Sequence, residues 1–195
     1  MIIPIEVSAR HIHLSRKHLE VLFGKGYQLT NLRDLPHLSR SGLLFAAKET
    51  LRIKNGDKEI SKVRISGPVR AKTQVELSFT DCFYLGISPP IRKSGDLKRT
   101  PGLTLIGPKG KIKIKEGVIV VLRHIHICPD KAKKLKLKNG DLVSVKIKGK
   151  RSVTFHNVLI RIDEKFKLVM HIDTDEANAA GISKGGKGYL VVNRK

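Results

Sequence analysis

Arg10-His11-Ile12-His13 recurs, letter for letter, as Arg123-His124-Ile125-His126. Side chains at i and i+2 of a strand point to the same face. The two imidazoles of each copy can therefore converge on one ion, while Ile12 or Ile125 turns the other way into a core. Zinc binds histidine nitrogen at about 2.0–2.1 Å, and catalytic zinc keeps a position open for water or substrate. A single His-x-His segment is weak evidence of a metal. Two copies behind the same arginine, in a chain of only eight histidines, are much stronger.

Each copy is followed by a residue suited to a helix start, then a short helix, then a glycine-bearing turn at 24–26 or 139–141. A second pair of segments also matches. Residues 76–87 read ELSFTDCFYLGI and residues 171–182 read HIDTDEANAAGI. Aligned without a gap, both end in Gly-Ile, and Glu76 falls opposite His171. Each half thus offers His-x-His and one further metal-capable side chain: His11, His13 and Glu76 in one, His124, His126 and His171 in the other. Arg10 and Arg123 face away from the ligands on an ideal strand and are expected to anchor the junction instead. His18, His37 and His156 have no partners by spacing and read as structural or surface residues. Cys128, two residues past His126, reads as a buried thiol rather than a ligand.

The rest of the chain is mostly short strands. Residues 60–67, 103–107, 111–115, 117–121, 142–147, 153–162 and 166–172 carry strand-like patterns, punctuated by Gly-Pro, Asn-Gly and Lys-Gly turns. Helical pieces are short: 15–23, 129–135 and 175–180. Ser15 is suited to an N-cap and Pro129 to a first helical turn. Many short strands with few helices predict a mainly β fold of closed β-barrels capped by short α-helices. Residues 35–50 look like an insertion, with a loop at Ser39-Arg40-Ser41-Gly42 that a lid could use.

The bulk composition narrows the function class. The chain has 195 residues, enough for one large or two small domains, and is 40% hydrophobic. Aromatics make up 5% and tryptophan is absent, so the core must rest on Val, Ile and Leu. Two cysteines are too few for a disulfide scaffold and fit a reducing, cytoplasmic setting. No apolar run approaches the roughly 20 residues that cross a bilayer. The net charge of +22 invites a nucleic-acid reading, but it is spread along the chain. Lys109, Lys111, Lys113 and Lys115 alternate with other residues as one solvated strand face would. A basic soluble surface that attracts a small polyanionic substrate accounts for the charge better. Arg70, in Gly67-Pro68-Val69-Arg70 and six residues before Glu76, is a candidate fork for phosphate or carboxylate. Serine-protease order, Walker loop and dinucleotide fingerprint are all missing. The residues alone point to metal-assisted group transfer on a small phosphate-containing substrate. The alternatives are a dinuclear zinc hydrolase and a basic nucleic-acid-binding protein.

Longer motifs carry a family resemblance. They are VSARHIHLS at 7–15, GPVRAKTQVE at 67–76, SGDL at 94–97, LIGPKG at 105–110, EGVIVVLRHIH at 116–126 and MHIDTDEANAAG at 170–181. Together, in order and over nearly the whole chain, they resemble the PduL-type phosphotransacylases, also called phosphate propanoyltransferases. The resemblance implies two β-barrel domains, one of residues 1–9 with 122–195 and one of 10–121, with the active site between them. It implies interconversion of a short-chain acyl-CoA (acetyl- or propanoyl-CoA) plus phosphate with acyl phosphate plus CoA. It implies two Zn2+ per chain, the first on His11, His13 and Glu76 and meeting the CoA sulfur, the second on His124, His126 and His171 and completed by waters. Arg70 would bind phosphate as the catalytic arginine, and Val7, Ser8, Ala9 and Asn178 would line the CoA site. Relatives often have Asn where Ala9 stands, and their lid loop differs from residues 39–45 here. A homodimer is the family expectation. Relatives housed in microcompartments carry an N-terminal amphipathic extension; this sequence starts almost at the first ligand strand, which predicts a free cytoplasmic enzyme.

Overall fold

The strand-like alternation is realised along most of the chain. A computed structural model describes residues 1–35 and 44–191. The first stretch holds β1 (Ile2–Ser8), β2 (His11–His13), α1 (Arg16–Phe23) and β3 (Asn31–Asp34). The next holds β4 (Phe45–Asn55), β5 (Lys58–Gly67), β6 (Gln74–Glu76), α2 (Phe79–Leu85), β7 (Ile91–Arg92), β8 (Thr104–Ile106), β9 (Lys111–Lys113) and β10 (Val118–Val121). The last holds β11 (His124–Ile127), α3 (Pro129–Lys134), β12 (Leu142–Ile147), β13 (Val153–Ile162), β14 (Val169–Asp173), α4 (Thr174–Ala180) and β15 (Gly185–Val191). The protein is mainly β with four short helices among the described residues, as the sequence predicts. His37 and the loop 39–43 lie outside the described residues; of the expected insertion at 35–50, residues 45–50 are the start of strand β4. None of the described helices is long and apolar enough to cross a membrane.

Among the described residues, 1–8 and 122–191 form one compact unit, and 9–35 and 44–121 form another. The first is a closed six-stranded barrel in the order β1-β14-β11-β13-β12-β15. It closes because β1 pairs with β14 on one edge and β15 on the other. Ile3, Ile5, Ile125, Ile127, Val145, Ile160, Met170 and Ile172 fill its core. Strand β15 begins Gly-Gly-Lys-Gly, a poor strand sequence. The lack of side chains has a use: a Cβ at Gly188 would strike Val145 and crowd Ile5.

The second unit is a sheet in the order β7-β10-β6-β2-β5-β4-β8-β9, with β3 on β4. Among the described residues it curls into a half-barrel whose end strands are not paired with each other. Its end strands β7 and β9 are two and three residues long. Its core is built on Ile12, Leu14, Leu19, Leu22, Leu51, Ile53, Ile65, Val75 and Leu105.

The sequence repeat is a structural repeat. β2 lies between parallel β5 and antiparallel β6, and β11 lies between parallel β13 and antiparallel β14. Helices α2 and α4 both start with a capping box, Ser78 with Asp81 and Asp173 with Glu176, and both end on a left-handed glycine, Gly86 and Gly181. The strands that lead into the two Arg-His-Ile-His segments are exchanged. β1 precedes β2 in sequence but joins β14, while β10 precedes β11 but joins β6.

Candidate metal centres

Register brings each triplet together. In the half-barrel sheet His11 faces Glu76 across an antiparallel ladder, and in the barrel His124 faces His171 across another. His13 and His126 stand two residues on and share those faces. Two groups of three can therefore hold a metal ion: His11, His13 and Glu76, and His124, His126 and His171. Within each group the ligand atoms lie within 4.8 Å of one another.

In the first group, His11 Nε2 is 3.5 Å from Glu76 Oε2 and His13 Nε2 is 3.8 Å from Glu76 Oε1. The other ring nitrogens face backbone carbonyls: His11 Nδ1 donates to Ala9 O at 2.9 Å and His13 Nδ1 to Ser66 O at 3.1 Å. A carbonyl only accepts, so each Nδ1 carries the proton and each Nε2 keeps a lone pair for an ion. Burial, then His11 and Arg70, push the His13 pKa well below 6.5, so the ring is neutral at pH 7. A neutral imidazole is the ligating form.

The second group is a triangle of rings. His124 and His126 centroids are 4.8 Å apart, His124 and His171 4.9 Å, and His126 and His171 4.7 Å. His124 Nδ1 donates to Leu122 O at 2.8 Å, the counterpart of the His11 bond to Ala9. His126 differs from its counterpart His13. Its ring stacks on Phe166 at 3.8 Å, and neither of its buried ring nitrogens has a hydrogen-bond partner. Burial, then His124 and Arg161, lower its pKa to about 2. A buried polar ring without partners costs free energy unless something satisfies it. A divalent ion held by the three rings would satisfy one of the two nitrogens, and a three-histidine or two-histidine-plus-carboxylate donor set suits zinc.

Polar residues around Glu76 complete the first centre. Gln74, fully buried, donates from Nε2 to Glu76 Oε1 at 2.5 Å and to Ser94 Oγ at 2.9 Å, and its Oε1 accepts from Gly95 N. Ser94 Oγ donates to Glu76 Oε1 at 3.3 Å and accepts from Arg70 Nη1 at 3.3 Å. Arg70 is thus two bonds from the carboxylate, with its backbone N–H fixed on Leu14 O at 2.8 Å. Gln74 and Ser94 stand in two of the motifs quoted above, but no spacing marks a lone buried amide or hydroxyl as a ligand support.

The two arginines of the repeat do anchor their surroundings. Arg10 Nε and Nη2 bond Asp81 Oδ1 at 2.8 and 2.7 Å, and Arg123 Nη1 bonds Glu176 Oε1 at 2.6 Å. Asp81 and Glu176 are aligned positions of the second repeat pair and the third residues of α2 and α4. Each arginine therefore ties a ligand strand to the helix that follows the third ligand. Burial, partly offset by Arg123, raises the Glu176 pKa.

Of the other expected residues, Val7 and Ser8 end β1 opposite Ile172 and Asp173. Asp173 caps α4, which carries Asn178 on an exposed face. Ala9 is exposed and its carbonyl holds His11. Cys128 is buried at the N-cap of α3 and belongs to neither ligand group. His156 Nδ1 pairs with Ser144 Oγ at 2.7 Å, and His18 Nδ1 with Thr73 Oγ1 at 2.8 Å.

A family model described as phosphate propanoyltransferase matches residues 4–183. Curated proteins of that name are similar over most of the chain. The one from Priestia megaterium is 52% identical over 188 residues, covering 96% of this chain and 85% of the relative. The one from Lachnoclostridium phytofermentans is 50% identical, covering 94% and 84%. The one from Thermotoga maritima is 48% identical, covering 97% and 89%.

Proposed function

This chain belongs to the phosphate propanoyltransferase family, and from that premise we propose that it exchanges a short acyl group between CoA and phosphate with two zinc ions bound. It is an acyltransferase. The observation that carries the metal part of the reading is the pair of triplets, each set by a His-to-third-ligand register across an antiparallel ladder.

His11, His13 and Glu76 would hold one zinc, and His124, His126 and His171 the other. When bound, zinc supplies Lewis-acid polarisation of a carbonyl and stabilisation of a leaving thiolate. The residues of the chain do the rest. The carbonyls of Ala9, Ser66 and Leu122 hold three imidazoles in the tautomer that keeps Nε2 basic. Gln74 and Ser94 fix the Glu76 carboxylate. The Arg70 guanidinium binds phosphate and offsets its charge, so that a phosphate oxygen is aimed at the thioester carbon. The new C–O bond forms, the C–S bond breaks, and CoA leaves with the electron pair. The acyl group passes directly to phosphate, with no acyl-enzyme. Val7, Ser8, Ala9 and Asn178 would line the CoA side, and the working form would be a cytoplasmic homodimer.

The test is CoA release from propanoyl-CoA with and without phosphate, alongside metal analysis, on wild type and His124→Ala. Release should require phosphate, wild type should carry about two zinc per chain, and the variant about one with turnover lowered by at least about 100-fold. Phosphate-independent release would mean a hydrolase. Salt-sensitive nucleic-acid binding without acyl-CoA activity would overturn both enzyme readings.

A further inference from the structure

The half-barrel unit has a cleft of about 660 Å3 that none of the six candidate metal ligands lines. Arg16, Lys17, Lys72, Lys113 and Lys115 stand around it, against the single carboxylate of Glu116, and Arg70, the candidate phosphate-binding arginine, lines it too; the Arg16 guanidinium also donates to Tyr27 O and Gln28 Oε1. These cations are all exposed, and among the described residues none of the four lysines is ion-paired with an acid. Like charges gathered in a concavity repel one another, and a low-dielectric wall focuses their field on the space between them. Lys113 and Lys115 belong to the run of alternating lysines at 109–115.

The floor of the cleft adds donors. Ser15 caps α1, so the N–H groups of Arg16 and Lys17, in the first helical turn, have no acceptor within the helix. Thr73 Oγ1 accepts from Ser15 N and from His18 Nδ1, and donates to Ser15 Oγ. Ser15 Oγ also accepts from His18 N, which leaves its own proton to point elsewhere. The positive helix end and the lysines therefore share one opening. Leu97 and Ile114 supply an apolar wall.

We infer that this cleft is a second anion site and that its ligand is a polyphosphate chain, free or carried by a nucleotide. The cations come from three separate parts of the chain, α1, residue 72 and the 113–115 segment, and so call for a ligand with more than one anionic group. A di- or triphosphate spans them. The volume lies within the range of small-ligand pockets, about 300–1,000 Å3. A nucleic-acid strand fits less well, because the only ring in the lining is that of His18 and no stacking platform is present. Arg70 is common to this cleft and to the proposed acyl transfer, so displacement by CoA is what separates the two; none of the candidate metal ligands is involved.

Equilibrium dialysis of the full-length, zinc-loaded protein against ADP and against inorganic pyrophosphate tests it, with zinc content measured afterwards. Saturable binding of one or both probes is expected. It should weaken at least tenfold in the double variant Lys72→Gln/Lys113→Gln and as ionic strength rises. It should be unchanged in Glu76→Gln, which separates it from the metal centre. Tighter binding of ADP assigns a nucleotide source, and equal binding an inorganic one. The melting temperature of the double variant should match wild type, since both lysines are exposed. No saturable binding, binding indifferent to the two lysine substitutions, or displacement of ADP by CoA would each overturn the inference; the last would make the cleft part of the substrate site.

Discussion

His11 and Glu76 are register partners across an antiparallel ladder, and His124 and His171 hold the same relationship in the other sheet. The two centres thus share a scaffold and differ in one donor. Glu76 brings a negative charge that His171 does not. Replacing it by His makes both triplets chemically alike and raises the formal charge of the loaded centre by one unit. Glu76→His should keep about two zinc per chain, because a three-histidine set still suits the ion, while turnover falls at least about tenfold. Metal analysis with the phosphate-dependent assay checks this. Unchanged turnover would mean the asymmetry has no catalytic meaning.

Gln74 is buried beside Glu76 and hydrogen-bonds one of its oxygens. Outer-shell partners of metal ligands typically govern affinity by about 10- to 100-fold. Gln74→Ala should lower the affinity of one of the two metals by that factor and leave the other as it was. Competition against a chelator, followed as two separate release steps, distinguishes this from a general loss of structure.

Arg70 presents a planar fork that lysine cannot copy. Arg70→Lys should raise the phosphate KM about tenfold while the propanoyl-CoA KM moves little. A larger change for the CoA substrate would place Arg70 on the wrong partner.

The repeat carried much of the fold's legibility. Its gapless alignment sets Glu76 against His171, and in the sheets these two are the register partners of His11 and His124. Other parts were hidden for physical reasons. In β4 the inward face holds Ala47, Leu51 and Ile53 but also Glu49, whose charge breaks the apolar alternation. Tyr27 Oη and Thr30 N satisfy that carboxylate, so the strand tolerates it. Helix α2 carries no clear helical period in the sequence, because Phe79, Phe83 and Tyr84 are exposed and blur its apolar stripe. Its Ser78–Asp81 capping box was the readable sign. Gln74 and Ser94 belong to no periodic pattern; only a folded sheet brings them to Glu76.

Arg123 does more than Arg10. Beyond its ion pair with Glu176 it donates from Nε to His156 O at 2.7 Å and lies 5.4 Å from the Phe155 ring centre. The Arg10 side chain is 45% exposed against 26% for Arg123, so solvent screens its pair more. Arg123→Ala should cost about 2–3 kcal/mol and Arg10→Ala about 1–2 kcal/mol in urea unfolding. A double-mutant cycle with Glu176→Gln should show coupling for Arg123; additive effects would assign its role to packing alone.

Cys128 tests the absence of an acyl-enzyme. It sits at the N-cap of α3 without a side-chain cap bond. Serine is among the preferred residues there, and its hydroxyl can accept from the free N–H groups of the first turn. Cys128→Ser should keep zinc content and turnover within about twofold, since the cap offsets burial of the hydroxyl. Loss of turnover with zinc intact would make the thiol a participant and direct transfer the wrong model.

The metal-free protein should lose stability as pH falls below neutrality. His126 has its pKa lowered to about 2, first by burial, and His13 is held well below 6.5 by burial, His11 and Arg70. In the unfolded chain both rings take a proton near pH 6.5. Below that pH the unfolded state binds more protons than the folded one, so unfolding becomes easier as acidity rises, until the folded rings titrate in turn. Each such group contributes a slope of up to about 1.4 kcal/mol per pH unit. Asp173 and Glu176, whose pKa values burial raises, oppose the trend at lower pH. Comparison with His126→Phe cancels them, because phenylalanine keeps a ring against Phe166 and cannot titrate. Urea unfolding of both metal-free proteins between pH 7.5 and 5.5 should show a shallower fall for the variant (both limits straddle about 6.5). Equal slopes would mean that the His126 ring takes up its proton in the folded protein as it does in the unfolded chain, so that burial does not hold it neutral for an ion.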